Sequence, residues 1–152
     1  MGADGPFRSW LFAPGNHSRR VEKALSLDAD VVILDLEDAV AIGEKLTTRG
    51  VVVSALQGSR SGLGYIRINA YDTDFCYGDL CTVIANGVDG IILPKVETAD
   101  QIKSVDWLVS QLEQNADLTI GSIDIMPIIE TGLGVANVRD IAEADTRVRR
   151  LS

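Results

Sequence analysis

Val31-Val32-Ile33-Leu34-Asp35-Leu36-Glu37-Asp38 sets four branched apolar residues in a row, then crowds three carboxylates into four positions. An apolar run without alternation reads as a strand buried on both faces, as parallel strands in α/β proteins are; a strand with one wet face alternates instead. Carboxylates bunched where such a strand ends fall on the edge at which α/β enzymes place their chemistry. A buried strand followed by an acidic helix N-terminus accounts for the same residues equally well. Taken alone, the stretch decides fold class and leaves function open.

Similar runs recur on either side at regular intervals, and strands are expected over 9–13, 31–36, 64–69, 90–94 and 124–129. Helices are expected between them, over about 18–27, 43–56, 73–86, 99–114 and 135–144. Val21, Ala24 and Leu25 would face inward on the first, and Leu46, Val53 and Leu56 on the second. Thr98 is placed to cap the fourth, which carries Ile102, Val105, Leu108, Val109 and Leu112. Residues 148–152 open a sixth strand. Alternating β and α units with buried strands imply a parallel sheet with right-handed crossovers. An open doubly wound sheet and a (β/α)8 barrel both fit that pattern, the barrel needing about 250 residues. No GxGxxG or GxxxxGK[ST] follows any strand, which weighs against nucleotide-binding variants of the open sheet. The strand ends instead carry Asn16, Glu37, Asp38, Arg67, Asn69, Lys95 and Glu130. Polar residues from five strands on one rim favour the barrel.

Composition bounds the partners. The chain has 152 residues, 46% of them hydrophobic, and a formal net charge of −8. That supports one packed domain over 8–152, with a mobile tail at 1–7. An acidic chain whose only basic cluster is Arg147, Arg149 and Arg150 argues against nucleic acid. Its longest apolar runs fall far short of the ~20 residues that span a bilayer, so no membrane partner is expected. Cys76 and Cys81 have no metal-ligand partners nearby; they read as buried free thiols suited to a reducing cytosol, and a cytoplasmic location is expected.

Five motifs in order carry a resemblance: Arg8-Ser9-Trp10-Leu11-Phe12-Ala13-Pro14-Gly15-Asn16, Asp35-Leu36-Glu37-Asp38-Ala39-Val40, Ile66-Arg67-Ile68-Asn69, Leu93-Pro94-Lys95-Val96-Glu97 and Ile128-Ile129-Glu130-Thr131. Each is short, but their order and spacing together are specific. Over Arg8 to Ser152 the chain resembles the citrate lyase beta-subunit-like family, which includes malyl-CoA, citramalyl-CoA and β-methylmalyl-CoA lyases. The resemblance implies a (β/α)8 TIM barrel, of which these residues are the first five βα units and the start of strand six. It also implies a homotrimer or hexamer in full-length form.

The residues can be read with and without that resemblance. Arg67 ends a buried strand, where an unpaired cation is costly; Glu37 could balance it, or its planar fork could bind a substrate carboxylate or thioester oxygen. The resemblance implies the second role. Glu130 reads as a cap, an ion-pair partner or a hard oxygen ligand; the resemblance makes it one of two Mg²⁺ carboxylates, the other lying beyond Ser152. Glu37 and Asp38 would bond metal waters, with Asp38 also a candidate acid or base, or either could cap the next helix. Lys95 reads as an ion-pair partner of a rim carboxylate rather than a Schiff-base lysine. Phe12 and Lys23, a core ring and a solvated charge on their own, become coenzyme A contacts by resemblance, and His17 a weaker phosphate partner.

The function implied is a Mg²⁺-dependent carbon–carbon lyase acting on a 3-hydroxyacyl-CoA or a small 3-hydroxy acid. Two alternatives stand beside it: a catalytically incomplete fragment or partner-completed half barrel, and a class II pyruvate-type aldolase that works without CoA.

Overall fold

The computed structural model describes residues 7–144 and 147–152. Its five strands are β1 (Trp10–Pro14), β2 (Val31–Asp35), β3 (Leu63–Arg67), β4 (Gly90–Leu93) and β5 (Asp124–Pro127). All neighbours pair in parallel, and the sheet order is β1-β2-β3-β4-β5. A doubly wound sheet reverses its strand order at a switch point. Here the order never reverses, so every crossover steps the same way and the helices gather on one side. That is the winding of a TIM barrel, seen here as an arc of five strands.

The two faces of the arc differ accordingly. Leu34, Ile66, Ile91 and Ile125 point outward into a large core shared with helices α1 (Ser18–Leu25), α2 (Lys45–Leu56), α3 (Cys76–Val83) and α4 (Ala99–Asn115). Val31, Ile33, Tyr65, Ile92 and Met126 form a second cluster on the inner face, with Phe7 and Trp10 packed against it. Gly90 is required there, since a Cβ would lie 2.5 Å from the Tyr65 ring. Tyr65 in turn donates to Asp124 Oδ2 at 2.7 Å, and Arg150 bonds both. The terminal basic cluster is thus split: Arg150 turns inward, while Arg147 turns outward to Asp106, Glu113 and Ser110 on α4.

Thr98 caps α4 as expected, and Gln101 completes a capping box with it. Thr98→Ala should lower stability by about 1 kcal/mol, read as a reduced urea midpoint at unchanged m-value.

Several local expectations are corrected. On α2 the buried residues are Lys45, Thr48, Val52 and Leu56, whereas Leu46 is 61% exposed. The inward face is turned because Lys45 has bonding partners behind the sheet. The expected helix over 135–144 is two short ones, α5 (Gly132–Ala136) and α6 (Val138–Ala142). Ile42–Glu44 is a 3₁₀ turn leading into α2. No strand forms over 148–152, yet Ser152 already exchanges backbone bonds with Pro127 and Ile129, at 3.1 and 2.7 Å. Both cysteines are free, but only Cys76 is buried; Cys81 is exposed because it falls on the outer side of α3. Burial pushes the Cys76 thiol up to about 11. Residues 1–6 of the expected tail lie outside the described residues; Phe7 packs edge-on against Trp10. Among the described residues no helix is long and apolar enough to cross a membrane.

Candidate active site at the strand ends

The cross-strand register decides what meets at the rim. Asp35, the last residue of β2, pairs directly with Arg67, the last of β3. Both share the inward parity of Ile33 and Tyr65, so their side chains stand side by side on the barrel interior. Arg67 Nε donates to Asp35 Oδ1 at 2.7 Å and Nη2 to Oδ2 at 2.6 Å. The fork expected to face substrate is therefore occupied by Asp35, not by Glu37. Only Nη1 remains turned to the rim, 3.3 Å from Glu37 Oε2 and 4.0 Å from Asp38 Oδ2.

Asp35 also shapes the loop that follows it. Its two oxygens accept from the backbone amides of Glu37 and Ala39, at 2.9 and 3.0 Å. This turn is a local device of aspartate, which bonds backbone a few residues on. Neither Glu37 nor Asp38 serves as a helix cap. Behind the loop, buried Lys45 donates to the carbonyls of Leu36 and Glu37 and to Asn69 Oδ1, at 2.8, 2.7 and 2.6 Å. The strand-end pattern places Asn69 on the rim. It is instead turned into the helix layer, where it bonds Asp79, which Arg49 pairs from α2.

Lys95 completes the cluster from β4. Its ammonium lies 2.6 Å from Glu37 Oε1 and 3.6 Å from Asp38 Oδ1, the ion-pair role expected of it. Its amide donates to Glu130 Oε1 at 3.0 Å. Lys95 does this with φ at +53°, a left-handed backbone uncommon outside glycine. Strain of that kind persists where the surroundings over-determine it.

Electrostatics separate the carboxylates. Burial pushes the Glu37 carboxyl above its ordinary value, only partly opposed by Lys95 and Arg67. Burial pushes Asp35 the same way, but Arg67 and the two amides outweigh it and hold Asp35 below the usual range. The bond to Glu37 raises Lys95.

Of the remaining candidates, Phe12 is 47% exposed on the inner face, its ring 5.1 Å from the Arg67 guanidinium carbon. It is neither a core ring nor joined to Lys23. Lys23 is exposed in the last turn of α1, and among the described residues no hydrogen bond or ion pair ties it to the rim. His17, exposed, precedes α1 without capping it. A groove of about 650 Å³ between α3 and α4 contains none of these residues.

Among the described residues no three His, Cys, Asp or Glu side chains stand close enough to hold a metal ion by themselves. The donor chemistry nonetheless suits a hard cation in part. Asp38 and Glu130 are exposed carboxylates, and buried Glu37 Oε2 accepts no hydrogen bond.

Asp35 and Lys45 were not singled out in advance. Asp35 carried a usable signal, since it continues the inward parity of Val31 and Ile33. Lys45 carried none, because a helical lysine is ordinarily solvated.

Comparison with known proteins follows this geometry. The chain is 38% identical over 143 residues to citrate lyase subunit beta of Leuconostoc mesenteroides subsp. cremoris, covering 93% of this chain and 47% of that protein. It is 36% identical over 152 residues to L-malyl-CoA/beta-methylmalyl-CoA lyase of Cereibacter sphaeroides, covering 97% and 48%. The crystal structure of protein CitE from Mycobacterium tuberculosis, in complex with magnesium and acetoacetate, superposes with a TM-score of 0.73 at 30% identity, covering 98% and 54%. The chain spans about half the length of the relatives it matches. A family model for HpcH/HpaI aldolase/citrate lyase matches residues 8–151, and the chain belongs to that family.

Proposed function

We propose that this chain carries the N-terminal part of the active site of a Mg²⁺-dependent carbon–carbon lyase acting on a 3-hydroxyacyl-CoA, malyl-CoA or citramalyl-CoA being the type of substrate. One observation carries the reading: Arg67, Glu37, Asp38, Lys95 and Glu130 come from four separate strand ends and converge on one rim. Rims of this kind are where barrel enzymes work. The relatives named for malyl-CoA and citrate cleavage supply the reaction class.

In this reading Arg67 Nη1 binds the substrate's carboxylate or carbonyl oxygen, aimed by Asp35. Asp38, exposed beside two cations, takes the hydroxyl proton. The alkoxide then collapses to a carbonyl, the adjacent carbon–carbon bond breaks, and its electron pair passes into the enolate of the departing acyl-CoA. Protonation of that enolate releases the product. Glu130 would hold Mg²⁺, which supplies Lewis acidity for the developing charge. Phe12 and Lys23 are assigned to the coenzyme A arm. A homotrimer or hexamer of the full-length protein belongs to the same proposal. Release of acetyl-CoA from malyl-CoA or citramalyl-CoA, dependent on Mg²⁺ and abolished by Glu130→Gln, tests it; turnover unaffected by that substitution refutes it.

A second reading, that the chain works only with other polypeptide closing the sheet, is favoured by the inner face. Trp10, Phe12 and Met126 line an open cavity of about 310 Å³ there. Both readings expect weak Mg²⁺ binding by the 152-residue chain, because one carboxylate plus water seldom fixes octahedral geometry. Calorimetry should give at best millimolar affinity; micromolar binding would mean that Glu37 or Asp38 coordinates directly.

A further inference from the structure

We propose, resting on the reading of the rim as an active site, that Lys45 is its positioning residue: from the helix layer, the ammonium sets the direction in which Glu37 and Asp38 present their carboxylates. Lys45 opens α2 and is only 7% exposed. Its Nζ donates to the Leu36 carbonyl at 2.8 Å, the Glu37 carbonyl at 2.7 Å and Asn69 Oδ1 at 2.6 Å. An ammonium has three N–H donors, and all three are used. The peptide joining Leu36 to Glu37 is consequently gripped at both ends. Lys45 holds its C=O from the helix layer, and Asp35 Oδ1 accepts from its N–H at 2.9 Å on the inner face. Lys45 also holds the C=O of the next peptide. With both planes fixed, the Cα–Cβ direction of Glu37 is fixed between them, and its carboxylate meets Lys95 at 2.6 Å and Arg67 at 3.3 Å.

Stability alone gives no reason to keep a cation here. Replacing a buried ion by an apolar side chain of similar volume is often neutral or stabilising. The three acceptors of Lys45 are neutral, and the negative charge that balances it lies one step away. Asn69 Nδ2 donates to Asp79 Oδ2 at 2.7 Å, and Arg49 pairs Asp79 from the far side at 2.7 Å. What the lysine adds is geometry, since it draws two successive loop carbonyls to one point. Without it the Leu36 carbonyl keeps only Asn69 Nδ2 at 3.2 Å, and the Glu37 carbonyl only the Val40 amide at 3.3 Å. Left to those longer bonds, the loop loosens and Glu37 and Asp38 lose their fixed aim at Arg67 and Lys95.

Two measurements on the full-length protein test this role. Lys45→Met keeps an unbranched apolar stem and removes the ammonium. Well below its melting temperature, kcat on malyl-CoA or citramalyl-CoA is expected to fall by about 10²-fold while KM holds, because misaimed groups slow the chemistry and leave binding by Arg67 in place. Hydrogen exchange should show the Glu37 and Ala39 amides losing the protection Asp35 gives them, with the amides of β3 and β4 unchanged. A lower melting temperature with kcat intact makes Lys45 a structural anchor only and overturns the positioning role. So does unchanged exchange at Glu37 and Ala39, whatever the turnover. If the unaltered protein turns over neither thioester, the reaction assigned to the rim fails, and hydrogen exchange alone decides on Lys45. Should Lys45→Met not fold, Lys45→Arg takes its place: the charge stays, but a longer planar fork cannot serve three acceptors as a tetrahedral ammonium does. The same losses of kcat and of protection are expected, and a Lys45→Arg protein indistinguishable from the unaltered one overturns the role.

Discussion

Arg67→Lys, introduced into the full-length protein, is expected to lower kcat/KM on malyl-CoA or citramalyl-CoA by about 10²–10³. Arginine meets two demands here that lysine cannot meet together. Nε and Nη2 are spent on Asp35, which fixes the plane of the guanidinium, and Nη1 alone projects to the rim beside Glu37 and Asp38. A lysine ammonium reaching Asp35 leaves the rim, and one reaching the rim abandons a buried carboxylate. The charge survives and the aim is lost. Arg67→Met goes further and leaves the buried Asp35 with its two backbone amides but no cationic partner, which should cost about 3–5 kcal/mol of stability. Kinetics and a thermal melt on both variants separate the effects. Near-wild-type turnover in Arg67→Lys would reduce Arg67 to a structural ion pair and remove it from the proposed mechanism.

How much of this was legible in the sequence varies with the physics. The strands were readable because both of their faces are buried, so Val31–Leu34 and Gly90–Leu93 show no alternation. The barrel winding was a fair inference from polar strand ends, but only the unreversed order β1 to β5 separates it from a doubly wound sheet. Arg67, Glu37, Asp38 and Glu130 could be named, since polar groups at the ends of apolar runs stand out. Their pairing could not. Whether Asp35 or Glu37 takes the arginine fork depends on the register Asp35↔Arg67, a long-range fact that no local pattern encodes. The buried face of α2 was misread for a related reason: Lys45 and Thr48 turn inward in place of Leu46, because hydrogen-bond acceptors at Leu36, Glu37 and Asn69 await the lysine. Hydrophobic periodicity ignores such polar anchors.

Asp35→Asn should be the most damaging single change to the stability of the rim, because one carboxylate serves four donors. The amide accepts through one oxygen only, and an NH₂ group in place of Oδ2 meets both Arg67 Nη2 and the Ala39 amide as a donor facing donors. With the arginine then half-buried and poorly paired, a loss of about 3–5 kcal/mol is expected. The pH dependence identifies the cause. Asp35 is held below its ordinary range when folded, so its contribution is complete above the unfolded value of about 4 and is lost as pH falls through the lower folded value. Glu37 acts in the opposite sense. Burial raises it, so its ionised form costs stability near neutrality, and acidification relieves that cost. The two trends partly cancel in the unaltered protein, and a single stability curve against pH will not separate them. Subtracting the Asp35→Asn curve removes Glu37, which both proteins share, provided the loop keeps its shape. The difference in unfolding free energy should be widest from neutrality down to about pH 4 and should narrow steadily below it. A difference that stays constant down to pH 2 would mean that the lost hydrogen-bond geometry, rather than the charge on Asp35, holds Arg67 in place.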